Sequence, residues 1–383
     1  MPNAVELALV TPRHQSFLDL GRPTPYVAID LDVVADRYAA LCGALPGIDQ
    51  FYAVKANPHP AVVAHLAALG CCFDVASIGE VDLCLSLGVD PTRISYGSTI
   101  KKRADVAAAW AKGVRMFAVD SEAELGKVIA EAPGALAYCR LACDSVGSDW
   151  PLSRKFGTDA VETARLMVTA AEAGLETGIS FHVGSQQRDV SAWSRALEAA
   201  CGVLATVVEA GVRPALVNIG GGFPVRYVDD IPPVDAIGSV VTSLLRARLG
   251  ALGLAPQIIA EPGRYLVAEA GVLQASVVLV ADRPGGQRWV YTDIGVFGGL
   301  AETLGESIRY RIRTAHEGAD LVPSVVAGPT CDSTDVLYEK EAYLLPAALA
   351  EGDRIEILSA GAYTTAYSSV GFNGFAPLRT EIV

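Results

Sequence analysis

The stretch Phe51-Tyr52-Ala53-Val54-Lys55-Ala56-Asn57 sets an apolar run, 51–54, directly before a lysine. Four apolar residues bounded by polar ones read as a short buried strand. The lysine at its end either snorkels to solvent or sits in a pocket. A pocketed lysine loses its proton more easily and becomes an amine nucleophile, able to form a Schiff base with an aldehyde.

Outward from this run the sequence keeps a regular beat. Strand-like apolar runs fall at 51–54, 71–73, 93–96, 115–119, 136–141, 178–181, 215–219 and 257–260. Between them lie Ala- and Leu-rich segments with helical character, at 60–69, 79–87, 102–112, 121–131, 158–174, 190–210 and 234–253. Gly70, Gly88, Gly113, Gly174 and Gly211 stand where those helices should stop. Eight strands alternating with helices predict a (β/α)8 TIM-like barrel. An open doubly wound sheet is the alternative, but no G-x-G-x-x-G follows the first strand.

In such a barrel the residues just past each strand converge on one mouth. Here they are Lys55, Asp74, Ser98, Asp120, Arg140, His182, Gly220-Gly221-Gly222 and Glu261. Each alone reads as a turn residue. Together they read as a ring of site residues.

Before the barrel, 24–30 alternates like a strand and 31–44 looks helical; residues 1–22 carry no clear signal. After Arg264 the texture changes. Runs at 272–280, 288–291, 324–326 and 354–358 are β-branched and punctuated by Gly, Pro, Asp and Thr, with one helical stretch near 300–308. This predicts a mainly antiparallel β domain. The expected division is 1–34 as an N-terminal segment contributing to the β domain, 35–265 as the barrel and 266–383 as the β domain.

A chain of 383 residues, 51% apolar and 19% charged, can bury a sizeable core. A net charge of -13 and a pI near 4.9 argue against nucleic acid or an anionic membrane as partner. The eight cysteines show no paired C-x-x-C spacing, and Cys71 and Cys72 are adjacent, which favours reduced thiols and a cytoplasmic protein. No signal peptide and no membrane span are expected. The histidines at 14, 59, 65, 182 and 316 have no ligand spacing, so no metal is expected. G-x-S-x-G and Walker A motifs are absent.

Several motifs carry both a structural and a chemical reading. Three glycines after the seventh strand let a backbone approach an anion, or simply make a turn. In Glu261-Pro262-Gly263-Arg264, the arginine can clamp a phosphate and the glutamate can meet a cationic ring nitrogen, or the two can pair with each other. His182, in Phe181-His182-Val183-Gly184-Ser185, is either a core histidine or an aromatic face for a planar cofactor. Cys331-Asp332, within Gly328-Pro329-Thr330-Cys331-Asp332-Ser333-Thr334-Asp335, is either a proton donor beside a cation binder or a buried thiol beside a turn carboxylate. Tyr291-Thr292-Asp293 adds a second β-domain carboxylate. Gly361-Ala362-Tyr363 offers a hydroxyl near Phe372-Asn373-Gly374-Phe375, although a tyrosine there can equally be packing.

Taken in order, these motifs, with Tyr52-Ala53-Val54-Lys55, Phe73-Asp74-Val75-Ala76-Ser77 and Ser153-Arg154-Lys155-Phe156-Gly157, resemble the fold-type III pyridoxal-phosphate (PLP) decarboxylases. Within them they are most similar to the bacterial ornithine and ornithine/lysine decarboxylases, on an alanine-racemase-like fold. The resemblance runs from about Thr24 to Phe375.

It implies that Lys55 is the Schiff-base lysine, that Asp74 helps set its charge and that His182 stacks on the cofactor ring. Glu261 would hold the ring nitrogen protonated. Ser185, Gly222, Arg264 and Tyr363 would hold the phosphate, Gly220, Gly221 and Gly263 would be further cofactor contacts, and Arg140 would support the site. Asp293 of one subunit and Asp332 of the other would bind the substrate's distal ammonium, with Tyr291 and Phe375 nearby. Cys331, also from the partner, would protonate the carbanion, so the family's sites lie at a homodimer interface. The Cys-Asp-Ser stretch departs from the Cys-Glu-Ser of diaminopimelate decarboxylases. The expected reaction is L-ornithine to putrescine and carbon dioxide, in polyamine biosynthesis. Lysine or dual specificity is the near alternative. A non-catalytic decarboxylase-like regulator should have lost Lys55, the phosphate clamp or Cys331. A racemase would need a second acid/base tyrosine instead of a Cys-Asp pair.

Overall fold

In the computed structural model, which describes residues 10–150, 155–316 and 318–383, the apolar runs of the sequence become the strands of two units. One unit spans Asp36–Pro224 and Ile231–Gly263. The other comprises the described residues up to Ala35, Val225–Asp230 and Arg264–Val383.

After β1 (Tyr26–Ile29), the first unit begins its barrel with β2 (Asp49–Ala53), β3 (Cys72–Val75), β4 (Ile94–Tyr96), β5 (Met116–Val119) and β6 (Leu136–Arg140). A short strand β7 (Ser148–Trp150) precedes β8 (Glu176–Ser180), β9 (Ser185–Gln187), β10 (Leu216–Asn218) and β11 (Gln257–Ala260). Eight of these close into a barrel in the order β10-β11-β2-β3-β4-β5-β6-β8. Neighbours run parallel, as where Phe51, Tyr52 and Ala53 lie opposite Cys72, Phe73 and Asp74. β7 and β9 pair separately as an antiparallel ribbon.

The barrel is filled by side chains. Phe51, Met116, Ala118, Leu136, Tyr138, Leu216 and Ile259 form one buried cluster, drawn from five strands. Several of the connecting helices start on side-chain caps: Ser77 accepts from the Glu80 amide, Ser121 from Glu124 and Asp159 from Glu162. They stop where the sequence predicts. Gly70, Gly88, Gly113, Gly174 and Gly211 have φ between +79° and +98°, a region closed to most L-residues.

The second unit is an eight-stranded sheet. It contains β1, β12 (Gly271–Asp282), β13 (Arg288–Thr292), β14 (Ile312–Thr314), β15 (Leu321–Ala327), β16 (Val336–Pro346), β17 (Arg354–Leu358) and β18 (Arg379–Ile382). The long β12 organises it. Its first half pairs with β1 and β17, and its second half with β13. Most pairings are antiparallel, but β1·β18 and β13·β15 are parallel, so the sheet is mixed. Val10, Leu18, Tyr26, Ala28, Val272 and Leu358 pack as one core cluster of this unit. The stretch 300–308 contains a short 3-10 helix, Ala301–Glu306. Among the described residues no helix is long and apolar enough to cross a membrane.

Candidate active site

Strand β2 ends by hydrogen bonding from the Ala53 amide to the Pro262 carbonyl (2.9 Å), and the chain then makes a single 3-10 turn, Val54–Ala56. Lys55 sits on that turn. Its side chain is 51% exposed, and Nζ lies 3.5 Å from Asp74 Oδ2. Asp74 is buried on β3, and its Oδ1 finds no hydrogen-bond partner among the described residues. Space for that carboxylate comes from Gly97, where a Cβ would fall 1.9 Å from Oδ1. Burial, then the charge of Glu261, push the Asp74 carboxyl well above the usual range, against the pull of Lys55.

Glu261, just past β11, is fixed through Asn218. The Asn218 amide donates to Glu261 Oε1 (2.5 Å), and its Oδ1 accepts from the Gly220 amide (2.9 Å). One buried side chain thus holds both the carboxylate and the glycine turn. The turn is close-packed on its own backbone. A Cβ at Gly220, Gly221 or Gly222 would lie 2.1, 2.4 or 2.3 Å from the carbonyl oxygens of Phe181, Glu261 and Gly184. Gly220 and Gly222 also have positive φ. Among the described residues no acceptor takes the Gly221 or Gly222 amide, so two neighbouring N–H groups remain for an anion.

His182 is half-buried after β8. Its Nδ1 accepts from the Gly184 amide (3.0 Å), which puts the proton of a neutral ring on Nε2. Burial, then the charges of Arg140 and Lys55, hold its pKa well below 6.5, so the ring stays neutral. Arg140 stands at the end of β6, 5.5 Å from the centre of the Phe156 ring. Ser185 opens β9, opposite Trp150 in the ribbon. Two members of the predicted ring serve their own loops instead. Ser98 donates to the Ile100 carbonyl (3.0 Å), and Asp120 accepts from the Gly157 amide (2.9 Å). Of the motif 153–157, Ser153 and Arg154 lie outside the described residues, as does the segment 1–9.

Lys55, Asp74, Glu261, His182 and Arg140 therefore share one electrostatic neighbourhood. Tyr138 belongs to it as well. Burial, then Glu261 and Asp74, raise its hydroxyl, which bonds Ser95 at 2.7 Å. Sequence reasoning missed Asn218 and Tyr138. The signal for Asn218 was an amide closing the apolar strand that leads into the glycines.

In the sheet unit Arg264 is buried, and Gly263 before it is buried too. Arg264 pairs not with Glu261 but with Glu302, and its guanidinium stands 5.0 Å from the centre of the Tyr363 ring. Tyr363 is held at φ +55°. It follows Gly361, which lies so close to the Val267 carbonyl that a Cβ would come within 1.9 Å.

Asp293 lies on a cavity of about 170 Å³, which Thr24, Phe297, Phe372, Phe375 and Arg379 help to line. Its Oδ2 accepts from the Thr24 hydroxyl (2.5 Å) and its Oδ1 from the Ser276 amide (2.8 Å), while burial raises its pKa. Tyr291 is placed apart from this cavity. It stacks on Trp289, and its hydroxyl accepts from Arg283 (2.7 Å). Cys331 and Asp332 are exposed. The Cys331 amide donates to Asn373 Oδ1 (2.9 Å) and the Thr334 amide to Asp332 Oδ1 (2.8 Å). Asp335, the other carboxylate of that motif, is the buried one. It accepts from the Val296 amide (2.7 Å) and the Thr330 hydroxyl (2.7 Å), tying the Asp293 loop to the Cys331 loop. Among the described residues no group of three or more His, Cys, Asp or Glu can hold a metal.

The family model of the pyridoxal-dependent decarboxylases, pyridoxal binding domain, matches residues 31–268. The lysine/ornithine decarboxylase of Selenomonas ruminantium is 34% identical over 354 residues, 92% of this chain and 88% of that one. An ornithine decarboxylase of Caenorhabditis elegans is 31% identical over 372 residues, 92% of this chain and 85% of that one. Among solved structures, a lysine/ornithine decarboxylase from Vibrio vulnificus complexed with cadaverine superposes with a TM-score of 0.87 at 34% identity, covering 98% of this chain and 99% of that chain.

The residues present fit a phosphorylated pyridine aldehyde. A half-exposed lysine carries the amine, a carboxylate stands ready for a ring nitrogen, two amides await an anion, and an unpartnered buried carboxylate oxygen lies beside the amine.

Proposed function

We propose that this chain, which belongs to the pyridoxal-dependent decarboxylase family, converts L-ornithine to putrescine and carbon dioxide. It is a PLP-dependent amino-acid decarboxylase; the choice of ornithine is the proposal. The observation that carries this reading is the clustering of Asp74, on β3, with Lys55, His182 and Glu261, just past three other barrel strands. Bound PLP supplies an electron sink for the pair left on the α-carbon when carbon dioxide departs.

The chain's own groups do the rest. Lys55 Nζ would hold the cofactor at its aldehyde carbon. Asp74, its carboxyl lifted toward neutrality, gives or takes a proton 3.5 Å from that amine. Glu261, immobilised by Asn218, keeps a proton on the pyridine nitrogen. His182 presents a neutral ring face, braced by the Gly184 amide, with Arg140 beside it. Ser185, Gly222, Arg264 and Tyr363 are assigned to the phosphate, and Gly220, Gly221 and Gly263 are assigned as further cofactor contacts.

Asp332 and Asp293 are assigned to the distal ammonium, with Phe375 as a further substrate contact; Tyr291, turned to Trp289 and Arg283, is not one. An apolar substrate would leave two carboxylates desolvated and unpaired, costing several kcal/mol (about 2–7 for a neutral group, more for a charge). Cys331 Sγ returns a proton to the α-carbon. Because Cys331 and Asp332 are exposed within one copy, the reading places them in the active site of a second copy, in a homodimer. The unpaired thiols are consistent with a cytoplasmic enzyme.

Lysine is the second reading, because relatives of this chain are named lysine/ornithine decarboxylases. One methylene separates the two substrates, worth only about 1–3 kcal/mol of discrimination. Carbon dioxide release from L-ornithine, L-lysine, L-arginine and diaminopimelate tests the proposal. Ornithine should give the highest kcat/KM. Release from diaminopimelate alone, or from none of the four, sinks it. The dimer is tested by mixing Lys55→Ala with Cys331→Ala protein. Partial activity should return; no recovery despite confirmed subunit exchange counts against shared sites.

A further inference from the structure

The barrel mouth explains how the aldehyde end and ring of a cofactor would be held. It leaves open what fixes the direction of Arg264. That residue is buried, and its immediate partner is Glu302, 38 positions away in sequence. Nη1 donates to Glu302 Oε2 at 2.7 Å and Nη2 to Glu302 Oε1 at 2.6 Å. This is an end-on fork, which fixes both the plane of the guanidinium and its rotation in that plane. Nη1 also donates to the Tyr227 hydroxyl at 2.8 Å. The rings of Tyr363 and Tyr227 lie 5.0 and 5.8 Å from Cζ.

Glu302 is itself held rigidly. It sits in the 3-10 turn Ala301–Glu306, where its carbonyl accepts from the Ile308 amide (3.0 Å) and the Thr303 hydroxyl donates to the Leu300 carbonyl (2.7 Å). A carboxylate that served only to neutralise a buried cation would need one contact. Two parallel bonds on a fixed turn, with an aromatic hydroxyl as third contact, hold an orientation.

We propose that Glu302 is a positioning residue, which aims the Arg264 guanidinium at the phosphate group of the cofactor. The inference rests on the reading of Arg264 as a phosphate ligand and goes beyond it, because it makes phosphate recognition depend on a residue that need not touch the cofactor. Burial opposes the charge of Arg264, and the Glu302 carboxylate overrides that cost, so the guanidinium stays fully charged.

The experiment compares two probes, PLP and pyridoxal, which differ only in the phosphate. Cofactor is removed from purified full-length enzyme, and each probe is titrated back by absorbance. Glu302→Gln keeps the shape of the side chain but places an amide N–H against the guanidinium. It should weaken PLP binding by roughly tenfold or more, as loss of a supporting contact behind a ligand does, and leave pyridoxal binding within about twofold of wild type. Arg264→Met should show the same selective loss, and a larger one. Should Glu302→Gln not fold, Tyr227→Phe removes one bond to Arg264 and should show a smaller loss of the same selectivity. An equal loss for both probes in the Glu302 or Tyr227 variant, or no loss, overturns the positioning role. If Arg264→Met itself leaves the PLP-to-pyridoxal ratio unchanged, the phosphate reading of Arg264 fails, and this inference fails with it.

Discussion

Two lysines follow strands of the same barrel, and they have opposite surroundings. Lys101, past β4, is fully buried. Its Nζ donates to the carbonyls of Ser98 (2.8 Å) and Ala118 (2.6 Å) and stands 3.1 Å from Glu124, which Lys127 also engages at 2.6 Å. Lys55, past β2, is half exposed and lies 3.5 Å from Asp74. Burial pulls the Lys101 pKa down to about 8, with Glu124 resisting. On pKa alone Lys101 resembles a nucleophile. Its amine nevertheless has nowhere to react, because acceptors surround it. A depressed pKa and a reactive amine are therefore separate properties, and side-chain exposure is what sets Lys55 apart from Lys101.

The largest effect should come from exchanging these two amines. Lys55→Ala should abolish the visible absorbance of bound cofactor and lower turnover by about 10³-fold or more. Lys101→Met should keep both, per folded molecule, and instead lose about 2–4 kcal/mol of stability to urea, because it strips a buried partner from Glu124. A Lys101→Met protein that is stable but inactive would break the contrast.

Next in size is a pH effect on stability. A lysine whose folded pKa is about 8, against 10.5 unfolded, binds fewer protons folded than unfolded between those values. Stability from this group therefore rises as pH climbs from about 8 to about 10.5, and the cost is fully present below pH 8. Wild type should gain on the order of 1–3 kcal/mol over that window relative to Lys101→Met. A flat difference would mean that Lys101 is not desolvated.

A smaller effect concerns Asp74. Its carboxyl is raised by burial and by Glu261, so the folded protein holds a proton that the unfolded chain has released. Stability is lost as pH rises above 3.8 and stays lost above the folded pKa. Asp74→Asn carries no charge at any pH. It should leave the apoenzyme at pH 7 more stable by about 1 kcal/mol while slowing turnover, a stability–activity trade at a single side chain. An Asn variant less stable at pH 7 and equal to wild type at pH 4 would reverse the sign and refute the burial cost.

The barrel was legible because strands, helices and glycine stops repeat at short range. Every one of its eight strands overlaps a predicted run. The sheet unit was less so. β16 carries Glu339, Lys340 and Glu341 at its centre, all exposed, so it shows no apolar alternation. β14 and β18 are short and gain their meaning from partners distant in sequence. The same limit governs the candidate site. Lys55, Asp74, His182 and Glu261 could be placed because each ends a strand. The partner of Arg264 could not, because Glu302 meets it across 38 residues and not within its own motif. Asp332 and Asp335 are three positions apart, one exposed and one buried, and only the fold separates them.

The most direct measurement is chemical. Holoenzyme is treated with borohydride, digested, and the attached pyridoxyl group is located by mass spectrometry. The group should be found on Lys55 and absent from Lys101. Attachment at Lys101, or at any lysine but Lys55, would contradict the assignment of the barrel mouth as the active site.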